Sequence, residues 1–575
     1  MNLARLLPAA AALAVLLASC SDDPLGPSGP YSPPEYHATL QSLDTPFSGV
    51  TGTGKGDIYA LGGILLRYDG STWKPMPGPR ELDSWQNFLV GFDDGGLAAS
   101  DGRDVSLFHD GSWTPIERVP DYSNAFWGRA SDDLYAINWN GLYHYDGTSW
   151  SLLPLSANGE LRAIAGDETG HPIMAGTRGR IDRFNGVDWT STNLDTTGWF
   201  GSIAVTSSGR TFVSDGARIF EVAAGDSLAL ILSDQIYDPR LCTDGEVLYA
   251  AGRSPYEWGT YRVAEYRDNT WRAVDQGQGY MRSFWAGHGE LAGVGENNFI
   301  WHGTASGGDQ VELPPVRRGL ADAVTIGDAI YAVGEGAYRY QDGEWTDLDK
   351  EYITRNPARG IGGRRSDDIY AVGSEMILHY DGRSWQWVNS GLGEELRSVW
   401  VGPEGHVVAV GWGPVIVEYD GTTWTKKEIP LSGDLNDVTG VGNTVFAVGG
   451  GLAGVRKNNH WYFSRPSGWA LNAVWAYAED RAYAVGNEDN TLWTYDGSRW
   501  TPSPIEGPAM PSMSGIWGTS PSNLFILDYY GTLVHFDGSG WREEERIFGA
   551  GMRAITGTPH EVLTLGDTGS ILYRK

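Results

Sequence analysis

The chain has 575 residues, a formal net charge of −30 and 41% hydrophobic content, with 25 Trp, 28 Tyr and 79 Gly. That length exceeds one ordinary core, and the abundant glycine points to many tight turns rather than long helices. The acidity excludes nucleic acid and anionic lipid surfaces as main partners, because phosphate contacts need Lys and Arg.

In chain order, the first element is an export signal. Arg5 precedes an apolar run from Leu6 to Leu17, and "LASC" (17–20) ends it on small residues and a cysteine. The segment resembles the lipobox of bacterial lipoproteins. That resemblance implies a signal peptide over 1–19, acylation of Cys20, and, with Ser21 next, an outer-membrane destination on either face. Residues 20–35 are rich in Pro, Gly and Ser and read as a flexible tether. No internal run reaches the 18 or more apolar residues of a membrane span, so the predicted membrane contact is the lipid alone.

From Leu66 onward one phrase recurs: "LRYDGSTW", "YHYDGTSW" from Tyr143, "LHYDGRSW" from Leu378, "VEYDGTTW" from Val417 and "WTYDGSRW" from Trp493. The motif tryptophans Trp73, Trp113, Trp150, Trp189, Trp271, Trp345, Trp385, Trp424, Trp461, Trp500 and Trp541 follow a period of about 39 residues. Two weaker copies (220–230 and 300–313) and a truncated one at "GSILYRK" complete fourteen units. One unit reads as strand A over 396–402, B over 406–412, C over 415–420 and D over 423–430, with no room for a helix. Asp-Gly between C and D is a tight-turn signal, and the flanking rings are apolar material for packing against the next unit.

A four-stranded unit of this length is a propeller blade. The predicted fold is therefore all-β: two tandem seven-bladed β-propellers of four-stranded antiparallel blades, over 36–316 and 317–575. One fourteen-bladed ring, or eight blades plus six, are the alternative divisions. "YHATLQSL" (36–43) reads as a stray strand D expected to close ring one, and "DQVELPPV" (309–316) as the strand closing ring two. "ILYRK" (571–575) reads as a strand C lacking its D.

The turn motif resembles a shortened Asp-box of sialidases and sortilin-like receptors, with Asp and Gly adjacent and the leading Ser missing. That resemblance implies the fold and gives the aspartates a structural role. The companion phrases "SDDLYAI" (131–137) and "SDDIYAVG" (366–373) read as solvated A–B turns. His144, His379 and His535 share a strand-C position with Arg67, Arg183, Arg339 and Glu418, which reads as a solvated strand face.

Catalytic signals are scarce. The sequence holds no Gly-rich phosphate loop, H-E-x-x-H, G-x-S-x-G or Cys/His cluster, so no catalytic residue, metal ligand or cofactor is assigned. Cys242, the one cysteine beyond Cys20, reads as a buried unreactive thiol. The chain also resembles xyloglucan-degrading glycosidases built from tandem seven-bladed rings. That likeness implies two carboxylates roughly 5–10 Å apart across a sugar, and 72 acids offer no way to select them.

Binding has clearer candidates. Aromatics outside the repeat fall on the D–A and B–C loops: Trp85, Trp139, Trp199, Tyr256, Trp258, Trp412 and Trp469. At the start of strand A, "LRAIAG", "MRSFWAG", "LRSVWVG" and "MRAITG" place Arg162, Arg282, Arg397 and Arg553 at one position, joined by Arg240 and Arg359, with Asn124, Asn436 and Asn472 in other units. Strand A is innermost, so these side chains are expected around each channel mouth, suited to an anionic group such as a uronic acid. The predicted role is a non-catalytic scaffold for a glycan or an envelope protein. A glycoside hydrolase and an envelope assembly factor are the alternatives.

Overall fold

The computed structural model describes residues 37–574 except 44–46, 80–87, 93, 139–140, 154–159, 168, 195–197, 224–226, 297, 312–318, 350–352, 354–355, 428, 489, 545–550 and 568. The signal, Cys20 and the tether lie outside these residues. The described chain forms fourteen four-stranded antiparallel sheets. Seven innermost strands, from Gly49–Gly54 to Met281–Gly287, neighbour one another in succession and close first upon last. Seven more, from Asp322–Ile326 to Met552–Gly557, do the same. The protein is two tandem seven-bladed β-propellers, here numbered blades 1–7 and 8–14.

The closures are polar as well as apolar. In ring one the Phe47 amide donates to the Gly295 carbonyl at 2.9 Å, and the Gly56 amide to Glu290 at 2.6 Å. In ring two the hydroxyls of Thr325 and Thr556 meet at 2.9 Å across blades 8 and 14.

The strand exchange differs from expectation. Strand His37–Leu43 pairs antiparallel with Gly569–Arg574 and is strand D of blade 14. It closes ring two, not ring one, so residues 37–43 belong with the second propeller. Blade 7 is completed by its own strand D, Gly307–Gln310, and lends nothing to ring two. Ring one is thus an insertion between strand D of blade 14 and strand A of blade 8. The C-terminal strand was read correctly as a strand C awaiting a partner. Patterning along a chain identifies that an edge is unpaired; it does not say which edge accepts it.

The repeated phrase does the same work in ten of the fourteen blades. Ten aromatic–Trp pairs across strands C and D have centroids 4.9–5.6 Å apart, among them Tyr145–Trp150 at 5.3 Å and Tyr419–Trp424 at 5.0 Å. Several of these indoles reach the preceding blade: Trp113 donates to the Pro77 carbonyl at 2.9 Å, Trp150 to the Glu117 carbonyl at 2.8 Å and Trp271 to the Ile231 carbonyl at 2.8 Å. The turn aspartates cap their own turns. Asp146 accepts from the amides of Thr148 and Ser149 at 2.9 and 3.0 Å and from the Thr148 hydroxyl at 2.6 Å. The Thr148 hydroxyl, followed by those amides, lowers the Asp146 pKa to about 2.

The companion motif is less solvated than its sequence suggests. Its second aspartate pairs with the strand-C position: Asp133 with His144 at 2.9 Å, Asp368 with His379 at 2.9 Å, and Asp57 with Arg67 at 2.7 Å. The two histidines also stack on Tyr135 and Tyr370, with centroids 4.5 Å apart in both cases. The two motifs, distant by eleven residues, meet across strands B and C, so the reading of both as solvated faces is corrected.

A second regularity was missed. At the start of strand A one residue drops out of register in many blades. Arg162 and Arg282 in ring one are such bulged residues, and so are Arg359, Arg397, Asn436, Asn472, Ser514 and Arg553 in ring two. In blade 6 the ladder slips just before Arg240. A bulge re-aims the side chain that it releases. In seven of these eight blades a glycine ending strand B stands opposite the residue before the bulge, as Gly295 does to Met281 and Gly411 to Leu396. A Cβ at Gly295 would overlap the Tyr280 carbonyl oxygen, and one at Gly411 the Glu395 carbonyl oxygen. Forcing that overlap costs roughly 1–3 kcal/mol. Gly295→Ala is therefore expected to lower the ring-one melting temperature by about 2–12 °C at 2–4 °C per kcal/mol. An unchanged calorimetric transition would show that the bulge does not need the glycine.

Candidate functional site

The bulges place a ring of polar side chains at each channel mouth, where the sequence puts them. In ring one, Arg162, Arg240 and Arg282 line a cavity of about 660 Å³ together with Asn124 and Arg253. An adjoining recess of about 350 Å³ shares Arg162 and Arg240 and adds Trp199, Glu160 and Ser214. In ring two, Arg359, Arg397, Arg553, Asn436 and Asn472 line a space of only about 130 Å³.

The arginines of ring one are held by acids on the neighbouring loops. Arg162 meets Glu160 at 3.3 Å, Arg282 meets Glu296 at 2.6 Å, and Arg253 is bonded to Asp238. Arg162 also lies over the indole of Trp199, 4.9 Å from its centroid, and Arg253 over Tyr280 at 5.5 Å. Trp199 arrives on the loop before blade 5 and rests against Gly201, where a Cβ would come within 2.9 Å of the ring. Arg240 differs. It makes no hydrogen bond or ion pair of its own among the described residues; it is exposed at the mouth, where crowding by the walls lowers its pKa and the charge of Asp238 works against that.

Ring two is closed by its own side chains. Arg359 is bonded to Glu395, Arg553 meets Asp567 at 2.7 Å, and Arg397 contacts Asn436 and lies 3.5 Å from Asp434. Asn436 and Asn472 each donate to a carbonyl of the next blade, Leu471 at 2.9 Å and Met513 at 3.0 Å. These two asparagines fasten blade to blade. Trp412 stacks under Arg397 at 5.4 Å and stays 59% exposed.

Two aspartates line the narrow channel of ring two. Asp437 accepts from Ser398 at 2.7 Å and from the Val474 amide at 2.8 Å, and Asp322 accepts from the Ile361 amide at 2.9 Å. Burial first, then the charge of Asp437, raises the Asp322 pKa to about 7. Burial also raises Asp437. The pair bridges blades in a space fit for a few waters, not a sugar. Because the folded-state pKa of Asp322 is raised, its neutral form stabilises ring two below about pH 4, and that contribution is lost as pH rises from 4 through 7. Ring-two stability is expected to fall over that window, and the fall to flatten in Asp322→Ser; pH-scanned calorimetry with an equally steep mutant would refute the assignment.

The aromatic candidates fall into three groups. Trp199 borders the ring-one recess and Trp412 the ring-two mouth. Tyr256 and Trp258 sit on the loop between Val247–Arg253 and Thr260–Arg267, beside the ring-one mouth; Tyr256 lies under Arg262 at 5.3 Å, and Trp258 is fully exposed. Trp469, 62% exposed, stands before strand A of blade 12. Trp85 and Trp139 lie outside the described residues. Cys242 is half-buried between blades 6 and 7, where its sulfur accepts from the Ala286 amide at 3.2 Å and burial raises the thiol pKa. No group of three or more His, Cys, Asp or Glu arranged to hold a metal occurs among the described residues. Arg253 and Tyr280 were not singled out from sequence; their signal is position, since both immediately flank loops of the mouth.

No protein-family model matches the chain, and no curated protein does. Solved structures share the fold. A GH74 enzyme of Niastella koreensis superposes with a TM-score of 0.65 at 13% identity, over 94% of this chain and 99% of that one. PorZ, a surface component of the type-IX secretion system of Porphyromonas gingivalis, superposes with a TM-score of 0.57 at 11% identity, over 93% and 87%. At such identities the likeness is one of fold.

Proposed function

We propose that the protein is a lipid-anchored outer-membrane scaffold that binds a glycan or an envelope protein without catalysis. Acylation at Cys20 would hold it to the membrane, with the tether leading into strand D of blade 14. The observation that carries the reading is the ring-one mouth, where four arginines and the exposed Tyr237 surround a cavity large enough for a small ligand, with the exposed Trp199 on the adjoining recess. The carboxylates there, Glu160, Asp238 and Glu296, are each engaged by an arginine. The surface role of PorZ is consistent with this reading.

Trp258 is a fully exposed indole on the loop that follows Arg253 of the mouth. An aromatic platform of this kind contributes on the order of 1–2 kcal/mol beyond simple area. Trp258→Ala is expected to weaken capture roughly tenfold on glycan arrays or in envelope pull-downs, with folding unchanged. Full retention of binding would remove the ring-one rim from the reading.

The full-length likeness to a GH74 enzyme favours a second reading, a glycoside hydrolase. Release of reducing ends from polysaccharide, abolished by one Asp or Glu substitution, would replace the scaffold reading with that one.

A further inference from the structure

We infer that the ring-one mouth is a site for a carboxylated sugar, with Arg240 as the counter-ion of its carboxylate. This rests on the binding reading above and gives it a ligand class. The first argument is charge. Arg162, Arg253 and Arg282 are each bonded to an acid, whereas Arg240 faces the same cavity without a hydrogen bond or ion pair among the described residues and shares only the field of Asp238, which Arg253 already holds. A guanidinium at a concave site is a strong and geometrically selective receptor for a planar carboxylate.

The second argument is access. Arg240 follows a slip in its ladder, and Gly201 of the neighbouring blade 5, which has no side chain to cover it, lines the same recess. Trp199 stands over that gap and offers an apolar edge beside the cation. The third argument is the wall chemistry. Asn124 and Ser283 line the mouth with an amide and a hydroxyl, and Glu160 and Glu296, though held by arginines, keep further acceptor capacity around the charge. A polyhydroxylated ring can pair with such groups, whereas a fatty acid offers them nothing beyond its carboxylate. Ring two makes the contrast. Its three mouth arginines all have side-chain partners, and its space is a fifth as large.

The test is calorimetric titration of the mature full chain with oligosaccharides of galacturonic, glucuronic and mannuronic acid, their methyl esters, and neutral oligosaccharides of the same length. An acid is expected to bind at least tenfold more tightly than its ester, with affinity falling as salt is raised. Arg240→Gln is expected to bring the acid to the level of the ester, Arg240→Lys to retain part of the difference, and Arg397→Gln in ring two to change nothing, all at unchanged melting temperature. Equal binding of acid and ester, or wild-type affinity in Arg240→Gln, overturns the inference while the binding reading stands. Binding of neutral glycans only has the same meaning. Binding of no saccharide, together with an empty envelope pull-down, overturns both.

Discussion

Asp182→Ala is expected to lower the melting temperature of ring one by about 6–20 °C. Arg180 and Asp182 lie two residues apart on strand C of blade 4, with side chains 2% and 0% exposed and 2.6 Å between Nη2 and Oδ2. The Asp182 carboxylate has no hydrogen bond of good geometry beyond this pair among the described residues. Removing one partner of so buried a pair costs roughly 3–5 kcal/mol. At 2–4 °C per kcal/mol for a ring of this size, that gives the stated range. The double variant Arg180→Met with Asp182→Leu is expected to recover most of the loss, since apolar replacement of a buried pair is often neutral or better. Differential scanning calorimetry of the three proteins decides it. A single variant within a degree of wild type would mean that water or rearrangement relieves the arginine, and a double variant as unstable as the single would assign the loss to packing.

The second large effect concerns ring closure. Deleting residues 37–43 removes six residues paired with the last strand of the chain. At about 1 kcal/mol for each backbone hydrogen bond, the loss is on the order of 5 kcal/mol, or about 10–20 °C. It also bares an edge open to pairing with another chain. The loss is expected in ring two alone, with ring-one melting unchanged and the truncated protein prone to self-association in analytical ultracentrifugation. Supplying the strand as a peptide is expected to restore the transition. A drop confined to ring one would contradict the observed pairing. The consequence is topological: residues 37–43 are built into the second propeller before the chain turns to the first.

Much of the candidate site could be read in advance, for a simple reason. Arg162, Arg282, Arg397 and Arg553 recur at a fixed place in a repeat, and strand A of a blade faces the channel whatever the neighbours are. Their partners were not legible. Glu160 and Glu296 are ordinary loop acids in a chain with 72 of them. Only the fold brings Glu296, fourteen residues on, back to Arg282. Arg240 resembles the other arginines in sequence, and that it makes no hydrogen bond or ion pair among the described residues is a property of the assembled mouth. The strand-C histidines were misjudged for the same reason. His144 sits in a position that tolerates either charge, yet Asp133 and Tyr135 on the next strand enclose it.

Period, turn residues and alternating apolar strands come from the chain itself, because a blade is a local structure whose hydrogen bonds join strands only a few residues apart. They determined the all-β class, the four-stranded unit, the number of units and the ring of arginines. Which ring receives the first strand, which mouth arginine makes no ion pair among the described residues and how wide each mouth stands were decided in three dimensions. Those properties depend on edges and charges separated by tens to hundreds of residues, and their energies exist only once the circle of blades has closed.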